Sequence, residues 1–220
     1  MIASIGKIPR SCYVHIPFCS HKCHFCDFAA FAGLEAREPE YFQVLAREIT
    51  TRLTNFQKEN EGEIVLDTLF VGGGTPGLAR IDELVFMKST LEQFCTLSPD
   101  CETSLETTPH AITEAKAFDW LQLGINRLSI GIESFQDSEL KAMGRDHSRS
   151  QALAGIEAAA RAGHKNISLD FMYGLPEQTL ASFKDTLRQA VSLAEHLPIQ
   201  HISAYGLEIA VNAPLLLRYP

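Results

Sequence analysis

Short runs rich in branched and aromatic residues alternate along the chain with longer stretches in which apolar residues recur every third or fourth position. The short runs are SCYVHI (11–16), DTLFV (67–71), CETSLE (101–106), RLSIGI (127–132), NISLDFMY (166–173) and HISAYGLEI (201–209). Their length and composition predict buried strands. The longer stretches predict amphipathic helices. Within 39–56, Phe42, Leu45, Ile49 and Leu53 fall on one helical face. Residues 81–94, 113–124, 148–163 and 179–197 read the same way, with Gly124 and Gly163 placed where a helix stops.

Strands alternating with helices imply an α/β fold with a parallel sheet and crossover helices. Six such units, the last without its helix, are too many for a small flavodoxin-like sheet. They predict a partial, TIM-like (β/α)6 barrel, open on one side. No linker rich in Pro, Gly or Ser divides the chain, so residues 1–209 are read as one core. The stretch VNAPLLLRYP follows the sixth strand without a helix. Residues 210–220 are therefore expected to begin a C-terminal region that is missing from the chain.

Composition narrows the class. Hydrophobic residues at 45% and charged residues at 21% suit an ordinary globular protein. A net charge of -8 argues against general attraction to nucleic acid. No apolar run is long enough to span a membrane, and MIASIGKIPR lacks the apolar stretch of a secretory signal. A cytoplasmic, reducing location is the expectation, and there six cysteines do not form a disulfide framework. Cys12, Cys95 and Cys101 stand singly in strand-like or apolar contexts and read as buried structural thiols.

Cys19, Cys23 and Cys26 differ, being clustered in the loop HIPFCSHKCHFCDF. A structural zinc usually takes four ligands, and His21 or His24 could supply the fourth, though both lie inside the cysteine loop, where geometry would be tight. A zinc-stabilised scaffold is thus one reading. A cubane iron–sulfur cluster fits better: three thiolates hold three irons and leave the fourth open to a small molecule. Pro17 turns the chain out of the first strand. The loop then lies at a strand's C-terminal end, where parallel α/β folds place their sites.

Other chemistry falls at the ends of the later strands. Gly72–Pro76, GGGTP, exposes backbone N–H groups, although such a run also serves as a plain tight turn. Glu106 and Glu133 end the third and fourth strands. Asp170 puts a charge inside an apolar strand and needs a partner there. Arg145, in MGRDH, also reads as a surface arginine paired with Asp146, and His15 as a core histidine. Cys19, Gly73, Glu106, Glu133, Asp170 and Gly206 lie at or near six successive strand ends, which a parallel sheet brings to one face.

The spacing of the three cysteines resembles that of the radical S-adenosylmethionine (SAM) superfamily. YVHIPFC, CHFCDF, FVGGGTPGL, GINRLSIGIESFQD, LKAMGRDHS and LDFMYGLPEQT resemble, in order, motifs of the oxygen-independent coproporphyrinogen III oxidase group, over residues 12–209. Within that group the chain looks most like the HemW-type proteins, described as heme chaperones. The resemblance implies a 4Fe–4S cluster on Cys19, Cys23 and Cys26 and SAM as cofactor. Gly73, Gly74 and Thr75 would then meet the methionine amino group, Asp170 the ribose and Phe25 the adenine. Tyr13 would lie near the sulfonium, with Glu106, Glu133, Arg145 and Gly206 as further contacts. The family more often has glutamine where Glu133 stands. The implied chemistry is one-electron cleavage of SAM to methionine and a 5′-deoxyadenosyl radical, which calls for a flavodoxin- or ferredoxin-like electron donor. Oxidases of the group carry another cysteine two residues after the third, where this chain has Phe28. That departure favours a heme chaperone over an oxidase. Heme or porphyrin is then the expected ligand of the full-length protein, bound weakly or not at all by a piece that stops after strand six.

Overall fold

The computed structural model describes residues 8–209 and 213–217. The six expected strands are present: β1 (Ser11–Ile16), β4 (Ile64–Gly73), β5 (Cys95–Thr107), β6 (Arg127–Glu133), β7 (Asn166–Tyr173) and β8 (Ile199–Gly206). Two short strands, β2 (Phe18–Cys19) and β3 (Phe31–Ala32), pair with each other and close the cysteine loop. The main sheet is parallel throughout, in the order β1-β4-β5-β6-β7-β8. Spatial order that follows chain order distinguishes this sheet from a doubly wound one, in which the order reverses at a switch point. It is the order of a partial barrel, with β1 and β8 at the two edges of the sheet.

Helices α1 (Glu38–Glu59), α2 (Ile81–Leu91), α3 (Glu114–Gln122), α5 (Arg149–Ala162) and α6 (Leu180–Ala194) fill the crossovers, with the short α4 (Asp137–Ala142) ahead of α5. Their ends follow local chemistry. Ser148 with Gln151, and Thr179 with Ser182, form capping boxes that satisfy the orphan N–H groups of α5 and α6. Gly163 and Gly124 take positive φ after α5 and α3, as a left-handed stop requires. On α1, Phe42 and Ile49 are buried while Leu45 and Leu53 are partly covered, so the expected apolar face is the one that packs. The core between sheet and helices centres on fully buried side chains such as Trp120, Phe42, Phe135, Phe171 and Leu105.

Strand limits such as those of β4 and β8 move by two or three residues, and two regions differ more from the sequence reading. β5 begins at Cys95, six residues before the expected start. Cys95–Leu97 pair with Ile64–Leu66, then the register shifts and pairing resumes at Glu102 with Thr68. The intervening SPD looks like a loop in sequence because proline and aspartate avoid regular strands, and a bulge is where a strand tolerates proline. Within 210–220, Pro214–Leu217 forms a 3-10 turn, and Leu215 is fully buried against Met143, Met172 and Leu175. The rest of that stretch and residues 1–7 lie outside the described residues. Among the described residues no helix is long and apolar enough to cross a membrane.

Candidate functional site

A cavity of about 1070 Å³ opens at the C-terminal ends of the strands. Its size is at the upper end of small-molecule sites. Of the residues singled out in the sequence, Cys19, Cys23, Cys26 and Phe25 line it from the first loop. Gly73, Gly74, Thr75 and Glu106 line it from β4 and β5, and Glu133, Arg145, Asp170 and Gly206 from the later units. Tyr13 is not part of the lining. Its ring is 58% exposed and stacks on Phe70, and its hydroxyl lies 3.0 Å from His15 Nδ1.

The glycine turn is built around the cysteine loop. Gly74 N donates to Ile16 O at 2.9 Å and Thr75 N to Phe18 O at 2.8 Å. A Cβ on Gly74 would come within 2.6 Å of Phe18 O and 2.8 Å of Cys19 Sγ, so only glycine permits this approach. Gly73 adds a φ of 125°. Thr75 Oγ1 lies 3.6 Å from Cys19 Sγ. His15, which the sequence left without a role, bridges β1 to the loop's exit: its Nε2 is 2.9 Å from Ala29 O. Its ring also packs over the face of Gly73, where a side chain would collide with it.

Carboxylates are held in different ways around the cavity. Glu106 Oε2 accepts from Gly73 N at 2.9 Å, yet burial pushes its carboxyl above the usual range, with Asp170 adding to the rise. Asp170 finds the partners its place in an apolar strand demands: Ser129 Oγ donates at 2.7 Å and Ser168 Oγ at 3.4 Å. Glu133 is buried, follows a register shift between β6 and β7, and sits at φ 65°. A non-glycine residue held there is strained, and such strain gathers at functional sites. Burial raises its carboxyl also, while Arg145 Nη1 at 3.7 Å pulls it back down.

Arg145 is not the surface arginine of its bland reading. Its side chain is 11% exposed, and its guanidinium donates to Cys23 Sγ (3.2 Å), Gly131 O (2.8 Å) and Thr108 Oγ1 (3.3 Å). Asp146 turns the other way, to Ser20, His21 and His110. Burial raises the Cys19 and Cys23 thiols, and Arg145 pulls Cys23 partly back. Sequence reasoning missed Ser129, Thr108, His110 and Asp146, all of which line the cavity. Ser129 was findable: it shares a strand face with Gly131 and Glu133 under period-two alternation.

Two residues of the cavity wall, Arg145 and Thr107, each carry a buried polar atom, Nε and Oγ1, without a hydrogen-bond partner. Orphaned polar atoms of this kind call for a ligand or water. Three thiols side by side, a glycine turn seated against one of them, and orphaned donors behind suit a cluster together with a polar small molecule. Among the described residues no group of three or more His, Cys, Asp or Glu side chains is arranged to hold a single metal ion.

Comparison with known proteins adds the following. The sequence profile of the radical SAM superfamily matches residues 13–190. A heme chaperone HemW of Haemophilus influenzae is 34% identical over 213 residues, covering 96% of this chain and 54% of that protein. The HemW of Escherichia coli is 33% identical over 206 residues, 93% of this chain and 52% of the relative. Among solved structures, the coproporphyrinogen III oxidase HemN of Escherichia coli, described as a radical SAM enzyme, superposes with a TM-score of 0.82 at 26% identity. That match covers 96% of this chain and 47% of the other. The chain spans about half the length of the curated relatives it matches.

Proposed function

The chain belongs to the radical SAM superfamily, whose members hold a 4Fe–4S cluster and SAM, and from that premise we propose that it is the cluster- and SAM-binding core of a HemW-type heme chaperone. One observation carries the first half of the reading: three thiols, a glycine turn, a serine-bonded aspartate and a buried arginine line one cavity. When bound, the reduced cluster supplies the electron that breaks a C–S bond of SAM. The protein's own groups bind and orient. Cys19, Cys23 and Cys26 would hold three irons. Asp170, already oriented by Ser129, would accept hydrogen bonds from ribose hydroxyls. Arg145, in the cavity wall, would contact the cofactor, and Phe25, packed with Met143, Met172 and Leu175, would cover the adenine.

The second half rests on Phe28 and on the relatives. Phe28 is 67% exposed and stands at the cavity where the oxidases' further cysteine is expected. A phenyl ring can neither exchange a proton nor hydrogen-bond a propionate. The HemW relatives are also more similar in sequence than the oxidase structure, at 34% against 26% identity. Heme as ligand, a small electron-transfer protein as reductant and a cytoplasmic location belong to the same proposal. Radical decarboxylation of coproporphyrinogen is the second reading, favoured by the superposition with HemN. An anaerobic assay of the full-length protein with SAM and reductant separates the two. We expect heme binding and no vinyl porphyrinogen, and catalytic vinyl formation would replace chaperone with oxidase.

A further inference from the structure

We propose that Asp146 is a positioning residue for the cysteine loop, tying the interval between Cys19 and Cys23 to the rim of the sheet. The inference rests on the reading that these thiols hold a cluster. The Cys19–Cys23 interval is the longer of the two between cysteines, and its side chains point to one carboxylate. Ser20 Oγ donates to Asp146 Oδ2 at 3.0 Å, and His21 Nδ1 lies 2.9 Å from the same oxygen. On the other side, His110 Nδ1, from the 3-10 turn Pro109–Ala111 after β5, lies 3.0 Å from Asp146 Oδ1. One carboxylate thus joins the cysteine loop, the end of β5 and the segment after α4.

The neighbours of Asp146 grip the same loop. His21 Nε2 lies 2.8 Å from Gly144 O, His24 N donates to Met143 O at 3.0 Å, and Arg145 reaches Cys23. Asp146 differs from these in joining two side chains ahead of Cys23, Ser20 and His21, to His110 at the end of β5. Without it, Ser20 keeps only long contacts, 3.3 Å to His21 Nδ1 and 3.5 Å to His110 Nε2. Burial alone would raise the Asp146 carboxyl, but hydrogen bonds and charge from His110, His21 and Ser20 hold it well below the usual carboxylate range. It therefore acts as an acceptor for all three groups. Groups that hydrogen-bond around metal ligands fix their orientation, and losing one costs roughly ten- to hundredfold in metal retention.

The test is anaerobic reconstitution of the whole chain as wild type, Asp146→Asn, Ser20→Ala and Asp67→Asn. Asp67 lies elsewhere, in an exposed ion pair with Arg10. Three properties are read: iron release to a chelator, the electron paramagnetic resonance spectrum of the reduced cluster, and the thermal midpoint of the apoprotein. Asp146→Asn is expected to release iron roughly tenfold faster or more, with a broadened spectrum and a lowered apoprotein midpoint, since a carboxyl held below its usual range stabilises the fold. Ser20→Ala, which removes one of three donors, is expected to show a smaller acceleration and carries the test if Asp146→Asn does not fold. Wild-type release and spectra in Asp146→Asn, or in Ser20→Ala where that variant stands in, would overturn the proposal. Equal acceleration in Asp67→Asn would do the same. If the wild type itself takes up no iron, the cluster reading fails and this inference falls with it.

Discussion

Two sets of three cysteines occupy opposite situations in this molecule. Cys12, Cys95 and Cys101 lie on β1 and β5 away from the cavity; Cys95 and Cys101 are buried, and Cys12 is half-buried against the core. Burial pushes the Cys95 thiol up to about 11, with Cys12, Glu92 and Cys101 adding to the rise. Cys95 behaves as a small apolar side chain and is expected to stay a thiol. Cys19, Cys23 and Cys26 line the cavity, where Thr75 approaches the first and Arg145 donates to the second. Burial raises Cys19 and Cys23 as well, so burial does not separate the two sets. What separates them is company: donors and a positive charge that stabilise a thiolate, beside an open space for what it would bind.

The largest effect expected from this contrast is on iron uptake. Cys23→Ala, and equally Cys19→Ala or Cys26→Ala, should abolish cluster binding, whereas Cys95→Ala should leave iron per chain unchanged after anaerobic reconstitution. Full iron in Cys23→Ala would erase the distinction between the two sets.

A second effect probes the buried wall behind the rim. His147 is buried with Nε2 3.2 Å from Ile132 O and Nδ1 unpartnered. Burial, and then the charge of Arg145, depress it from 6.5 to about 4. A depressed value means that the folded protein binds this proton less readily than the unfolded chain does. The stabilisation is therefore present above pH 6.5 and lost as pH falls toward 4. The loss is about 2–3 kcal/mol between neutral pH and pH 4.5. His147→Gln should flatten that part of the acid limb in urea titrations of the apoprotein; an unchanged slope would assign the acid sensitivity to other groups.

Gly74→Ala should cost about 2 kcal/mol through forced movement of Phe18 and Cys19, and it should lower iron content along with stability. Normal iron uptake in that variant would mean that the turn is not fitted to the loop. Smallest is Asp170→Asn. The amide keeps one acceptor and loses the charge, so SAM should bind about tenfold more weakly to the reconstituted protein, a loss of about 1.5 kcal/mol, with iron unchanged. Calorimetry giving equal affinities would make Asp170 a purely structural partner of Ser129.

Much of this was legible in the sequence because strand ends in a parallel sheet share one face. Reading Cys19, Gly73, Glu106, Glu133, Asp170 and Gly206 as a converging set required only the alternation of strand and helix. Hydrophobic patterning found the helices α1, α2, α3, α5 and α6 because each turns an apolar stripe inward. It passed over α4, whose six residues are too few to show a period. It also passed over the first half of β5, where SPD makes a bulge. The alternative reading of Arg145 as a surface arginine paired with Asp146 fails because adjacency in sequence says nothing of direction: the two side chains face different partners. Tyr13 was placed in the site by resemblance; strand register puts it on the sheet face that carries Glu106 and Ser129, but its ring stacks on Phe70 and it is not among the lining residues. Leu215 was beyond reach, since its burial and its N–H bond to His24 O are contacts with residues far away in sequence, which no local pattern announces.

The most direct test of the central claim is 5′-deoxyadenosine release by the anaerobically reconstituted protein given SAM and a strong reductant, with Cys23→Ala and Cys95→Ala beside it. The account predicts 5′-deoxyadenosine and methionine in equal amounts from the wild type and from Cys95→Ala, and none from Cys23→Ala. Iron-loaded wild-type protein that neither binds nor cleaves SAM would contradict it.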